Sequence, residues 1–140
     1  MKAVVIYESL TGNTRKAAGH IAIELNRGGM AVTLVPITAI NFQALAEADL
    51  VVVGSWTDGL FFVGQRPGRA GRLRKLPYIQ GKRCAVFCTY AIDQGKVLEK
   101  MVTMMEERGA DVIGGMAIRR NEIESGSKDF ARRVLDVVAV

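Results

Sequence analysis

Metal-ligating side chains are scarce in this sequence. It holds one histidine, His20, and two cysteines, Cys84 and Cys88, with no second cysteine cluster, so no metal site is expected. The two cysteines fall at an even spacing in one expected strand, on the same face but roughly 13 Å apart at about 3.3 Å per residue. They cannot bridge each other there. No apolar run approaches the length of a membrane span. A single lysine and the short run Ala3 to Tyr7 precede Glu8, too little for a signal peptide, and a cytoplasmic placement is expected. The phosphate-binding pattern Gly-x-x-x-x-Gly-Lys-Ser/Thr and the dinucleotide pattern Gly-x-Gly-x-x-Gly are both missing. So are linkers, internal repeats and low-complexity segments, and residues 1–140 are expected to form a single domain.

What is present is an ordinary globular composition, 49% hydrophobic and 24% charged with 15 glycines, and an alternation of short apolar runs with helical stripes. Ala3-Val4-Val5-Ile6-Tyr7 is continuously apolar, the mark of a strand covered on both faces. A helix starting near Thr14 places Ala18, Ile21, Ala22 and Leu25 on one stripe and ends at Gly28-Gly29. His20 falls opposite that stripe and is read as a surface residue. Further strands are expected at Ala31 to Val35, Leu50 to Gly54, Lys82 to Cys88 and Asp111 to Ile118, and helices at Asn41 to Glu47, Asp93 to Arg108 and Ser127 to Val138. Met101 and Met105 lie on the inner stripe of their helix and read as core packing. Ser55 to Arg74 reads as one long loop. Connections of these lengths demand parallel strands with right-handed crossovers. The class is therefore α/β, an open doubly wound five-stranded parallel sheet of order 2-1-3-4-5 with helices on both faces, whose switch point lies between the first and third strands.

Two segments meet at that switch point. Ser9-Leu10-Thr11-Gly12-Asn13-Thr14 joins the first strand to the first helix and supplies three hydroxyls, an amide and a glycine, but no cation. At a helix start, unpaired N–H groups and the positive end of the dipole favour an anion. The same residue types also serve simply as caps and turns. The second segment is the long loop opening at Ser55.

The six residues match the Ser/Thr-x-Thr-Gly-x-Thr loop with which flavodoxins hold the phosphate of FMN, and the chain resembles that family along almost its whole length. The resemblance implies FMN as cofactor, with Ser9, Leu10, Thr11, Gly12, Asn13 and Thr14 around its phosphate. It implies two ring loops, one with Ser55, Trp56, Thr57, Asp58 and Gly59, the other with Thr89, Tyr90 and Gly95. In the family the peptide at the residue matching Gly59 turns over on reduction to meet the flavin N5. Asp58 departs from the pattern, because many flavodoxins carry an aromatic or Met there; Trp56, Phe61 or Phe62 are the alternative inner stackers and Tyr90 the outer one. For Trp56 and Tyr90, packing against the protein itself stays open.

Charge departs too. Flavodoxins are typically acidic, whereas this chain has a net charge of +5. The excess sits in Arg66, Arg69, Arg72, Arg74, Lys75, Lys82 and Arg83, with no acid between them. Such a surface suits an acidic redox partner protein or, at Arg66, Arg69, Arg72 and Arg74, a pyridine nucleotide; it is also compatible with a merely solvated loop. No membrane or nucleic-acid partner is expected, since no aromatic-interleaved platform accompanies the arginines. The expected function is single-electron carriage on FMN between redox partners, rather than a stand-alone enzyme. The alternatives are an NAD(P)H-dependent quinone or flavin reductase, and a flavin-free module acting through the Arg66 to Arg83 surface.

Overall fold

The structure, a computed structural model, describes residues 1–60 and 63–139, excepting the side chains of residues 59, 60 and 63–66. Phe61 and Phe62, two of the expected ring stackers, lie outside the described residues, as does the Arg66 side chain. The strands are β1 (Lys2–Tyr7), β2 (Ala31–Pro36), β3 (Leu50–Leu60), β4 (Val63–Pro67), β5 (Arg83–Tyr90) and β6 (Asp111–Arg119). Five of them run parallel in the order β2-β1-β3-β5-β6, while β4 pairs with β3 alone, antiparallel. The expected 2-1-3-4-5 sheet is therefore present, with one strand added beside it. Val4 stands between Thr33 and Val51, and Val52 pairs with Ala85, so the β-branched runs of β1 and β3 form the centre.

Alternate residues of these strands feed two cores. On one side α1 (Asn13–Arg27) and α5 (Ile123–Val138) bring Ala17, Ile21, Leu25, Phe130 and Val134 onto Ala3, Val5, Leu50, Val52 and Phe87. On the other, α2 (Phe42–Glu47), α3 (Ala70–Arg74) and α4 (Val97–Glu107) bring Leu45, Leu73, Val97, Met101 and Met105 onto Val4, Val51, Val53 and Val86. The two methionines are fully buried, as their stripe implies. Cys84 and Cys88 face this second core as free thiols, and burial pushes both up to about 12. Burial keeps both thiols away from solvent and in the protonated form, which is the less reactive one.

Helix ends follow local chemistry. α1 stops because Gly29 takes φ 99°, with Gly29 N–H donating to Asn26 O and Met30 N–H to Leu25 O, a Schellman arrangement that satisfies the last carbonyls. α4 starts at Val97 rather than at Asp93. Asp93 Oδ1 accepts the Gly95 N–H at 3.2 Å and Gln94 Oε1 the Leu98 N–H at 3.3 Å, so these side chains build a turn where periodicity suggested a helix. α5 begins four residues earlier than expected, because its first turn is polar and carries no stripe to read.

The largest departure is at Ser55 to Arg74, which is not a loop. β3 continues to Leu60, returns as β4 with Thr57 opposite Pro67 and Asp58 opposite Arg66, and passes into the short α3. Backbone pairing absorbs the polar groups that a structureless segment would leave unpaired.

Candidate functional site

Every predicted site segment lies at the carboxyl end of the parallel strands. Glu8 N–H donates to Gly54 O at 2.9 Å, extending the β1–β3 ladder by one step. The chain then leaves the sheet. Gly12 adopts φ 98° at the N-cap of α1 and has no side chain to cap with; Ser9 Oγ instead accepts the N–H groups of Gly12 at 3.1 Å and Arg15 at 3.4 Å. The amides of Asn13 and Thr14, first in the helix, have no intrahelical acceptor. Asn13 Nδ2 reaches Thr11 Oγ1 at 3.4 Å. Thr14 is buried, and its Oγ1 shares a 2.9 Å hydrogen bond with Thr89 Oγ1 at the end of β5, fastening the helix start to the sheet.

A cleft of about 140 Å³ opens there. Leu10, Thr11 and Asn13 line it from the first loop, Trp56 and Thr57 from β3, Thr89, Tyr90 and Ala91 from β5, and Arg120 from the turn after β6. Thr57 Oγ1 is buried and has no hydrogen-bond partner. Burial pushes the neighbouring Cys88 thiol up to about 12, against a smaller opposing hydrogen-bonding influence of Thr57. An unsatisfied buried hydroxyl costs about 1–3 kcal/mol. A flat polar ligand carrying an anion fits what is present: hydroxyls and helix-start amides at one end, and Trp56, Thr57 and Tyr90 along the walls.

The other predicted residues stand behind this wall or away from it. Ser9, Gly12 and Thr14 shape the first loop from behind. Ser55 is fully buried, and its hydroxyl donates to Gly68 O at 2.8 Å, so it pins the hairpin. Asp58 lies half-buried two residues beyond Trp56, and Gly59 sits where the β3–β4 register shifts. Gly95 takes φ 56° in the turn before α4. Tyr90 has the Arg119 guanidinium 5.8 Å from its ring centroid.

Two features escaped the sequence. One is Arg120, whose only signal was its place just after the last parallel strand. The other is Glu8, a 3% exposed carboxylate that accepts from Arg69 Nη1 at 2.6 Å and from Arg72 Nη1 at 3.0 and 3.2 Å. The basic run is therefore not one patch. Arg69 and Arg72 turn inward to Glu8, Lys82 Nζ donates to the carbonyls of Ala46 and Ala48 at 2.9 and 2.8 Å, and Arg74 borders a separate groove against α4 with Lys96 and Glu107. Among the described residues no cluster of three or more His, Cys, Asp or Glu side chains could hold a metal ion, and no helix is long and apolar enough to cross a membrane.

The flavodoxin domain family matches residues 4–120. A curated flavodoxin of Clostridium beijerinckii is 24% identical over 136 residues, 95% of this chain and 99% of its own. Among solved structures, oxidised flavodoxin 1 of Bacillus cereus superposes with a TM-score of 0.73 at 22% identity over 97% of this chain and 98% of its own. A cysteine-to-serine mutant of flavodoxin from Pseudomonas aeruginosa does so with a TM-score of 0.78 at 15% identity over the full length of both. At these identities the structures establish a shared fold.

Proposed function

The chain belongs to the flavodoxin family, whose members bind FMN and transfer electrons to redox partner proteins, and on that premise we propose that the cleft between the first loop, β3 and β5 is its FMN site. The observation that carries this reading is Thr57, whose buried Oγ1 has no hydrogen-bond partner in good geometry and which lines the same cleft as the hydroxyl loop. Thr11, Asn13 and the first amides of α1 hold the phosphate, Trp56 and Tyr90 flank the ring, and Thr57 supplies a hydroxyl to the polar part of the cofactor. Bound there, FMN supplies the redox chemistry. The side chains bind, orient and exclude water, and none has to move a proton.

The pyridine-nucleotide alternative draws on arginines of which two are occupied with Glu8, which leaves the carrier as the reading with support. A partner with an acidic rim fits best, since Arg119 and Arg120 are exposed around the mouth beside the exposed Leu10 and Ile92.

Titration of the purified chain with FMN, riboflavin and FAD tests the site. FMN is expected to bind at least about 100-fold more tightly than riboflavin, since two charge-assisted hydrogen bonds to a phosphate at about 1.5 kcal/mol each already amount to that. Thr11→Ala is expected to weaken FMN about tenfold and riboflavin hardly at all. It is a cleaner probe than Thr14→Ala, because Thr14 also holds Thr89. Equal losses for both flavins would sink the phosphate assignment.

A further inference from the structure

Glu8 has no place in the phosphate loop and none in the cleft wall, yet it is among the most buried charges of the chain. Its two guanidinium partners lie 61 and 64 residues away in sequence. Both remain nearly half exposed, 42% and 46%, so the carboxylate is covered while the arginines keep contact with water. Arg69 carries a second contact. Its guanidinium carbon stands 5.5 Å from the ring centroid of Trp56, a cation–π distance, and Trp56 is a wall of the cleft. Arg69 is also the one described non-glycine residue with positive φ, at 49°, a conformation disfavoured for a side chain of this size. Gly68, just before it, lies so close under the indole that an added Cβ would meet the ring at 2.1 Å.

We infer that Glu8 is the positioning residue of the ring wall: its buried carboxylate holds Arg69 in this backbone conformation, and Arg69 holds the Trp56 indole against Gly68 at the edge of the cleft. This rests on the cleft being the FMN site, but the device itself belongs to the chain without cofactor. Direction follows from connectivity. Glu8 directly follows β1 and is locked to Gly54 through the sheet, whereas Gly68 and Arg69 sit in the turn between β4 and α3; the carboxylate is the fixed end and the indole the adjusted one. Arg72 shares Glu8 without touching the indole, which makes it the internal control.

Trp56 is the sole tryptophan of the chain, so its fluorescence reports the wall without interference. The test compares Glu8→Gln, Arg69→Asn and Arg72→Gln with the unaltered protein, first free of flavin, then titrated with FMN and with riboflavin. Asparagine is chosen at 69 because it accepts positive φ, which keeps the backbone in place if Glu8→Gln fails to fold. Expected are a red-shifted Trp56 emission and at least twofold stronger acrylamide quenching in Glu8→Gln and Arg69→Asn, with a smaller change in Arg72→Gln. FMN and riboflavin affinities should fall together, by roughly the same fold, since the wall touches the ring and not the phosphate. Unchanged Trp56 emission and quenching in Arg69→Asn would overturn the inference, as would an affinity loss confined to FMN. If the unaltered protein binds neither flavin, the proposed site fails, and the fluorescence of the flavin-free variants still decides whether Glu8 and Arg69 place the indole.

Discussion

The two walls of the cleft are made in opposite ways. The Ser9 to Thr14 side is neutral and local: a glycine at φ 98°, a serine hydroxyl accepting from residues three and six further on, and a helix start. The hairpin side is charged and non-local, with the Trp56 indole resting on Gly68, flanked by Arg69, and tied through Arg69 and Arg72 to Glu8 at the end of β1. The first wall, the proposed binding surface, has helix-start amides without intrahelical acceptors. The second is a fitted assembly whose interactions are mostly spent within the protein, and it presents shape more than hydrogen bonds. Ligand affinity should therefore be sensitive on the first side, and stability on the second.

Gly68→Ala is the strongest way to break that contrast. A Cβ there would meet three indole atoms at 2.1 to 2.5 Å, and overpacking of this kind costs about 1–3 kcal/mol. Because Gly68 N–H also donates to Trp56 O at 2.7 Å and Gly68 O accepts from Ser55, the hairpin cannot slide to relieve the clash without losing hydrogen bonds. A cost of about 3 kcal/mol in chemical denaturation, at the top of that range, is expected together with altered Trp56 emission. A change within about 0.5 kcal/mol would mean that the indole does not rest on Gly68.

Arg120→Gln sharpens the other side. The first loop holds no cation, yet Arg120 lines the same cleft as Thr11 and Asn13. The Thr14–Thr89 hydrogen bond brings the start of α1 against β5, next to β6, whose continuation is Arg120. A guanidinium facing a phosphate adds a charge-assisted bond of about 1.5–3 kcal/mol. FMN affinity should drop about tenfold, the lower end of that range, more so at low salt, with riboflavin unmoved. Equal weakening of both flavins would place Arg120 at the ring instead.

The same contrast explains what the sequence could and could not reveal. The five parallel strands, their order and the Ser9 to Thr14 loop were legible because apolar runs, stripes and turn residues encode them within a few neighbours. The stretch from Ser55 to Arg74 was not. Its glycines and scattered Trp56, Thr57 and Val63 have neither strand nor helix periodicity to mark the local β3–β4 pairing, and the contact that ties its far end to the sheet, Arg69 to Glu8, spans 61 residues. The arginine run looked like a surface for the same reason: no acid neighbours it in sequence, although one does in space. Ser55, read as a cofactor contact from its place in the pattern, faces inward because β3 continues through it with Gly68 alongside.

Gly12→Ala is the smallest of these effects and the sharpest check on the neutral wall. A Cβ at Gly12 would have nothing within 4 Å, so the substitution meets no neighbour and only the left-handed backbone resists it. That conformation costs an ordinary residue about 1 kcal/mol, and asparagine less, because its short polar side chain tolerates positive φ. Denaturation should therefore rank glycine, asparagine, alanine in falling stability at position 12 within a span of about 1 kcal/mol. At position 68 both substitutions should be severe and asparagine no better than alanine, since volume rather than φ is limiting there. If asparagine failed to recover stability at position 12, the loop would be held by packing like its opposite wall, and the division between a local binding surface and a non-local fitted one would not stand.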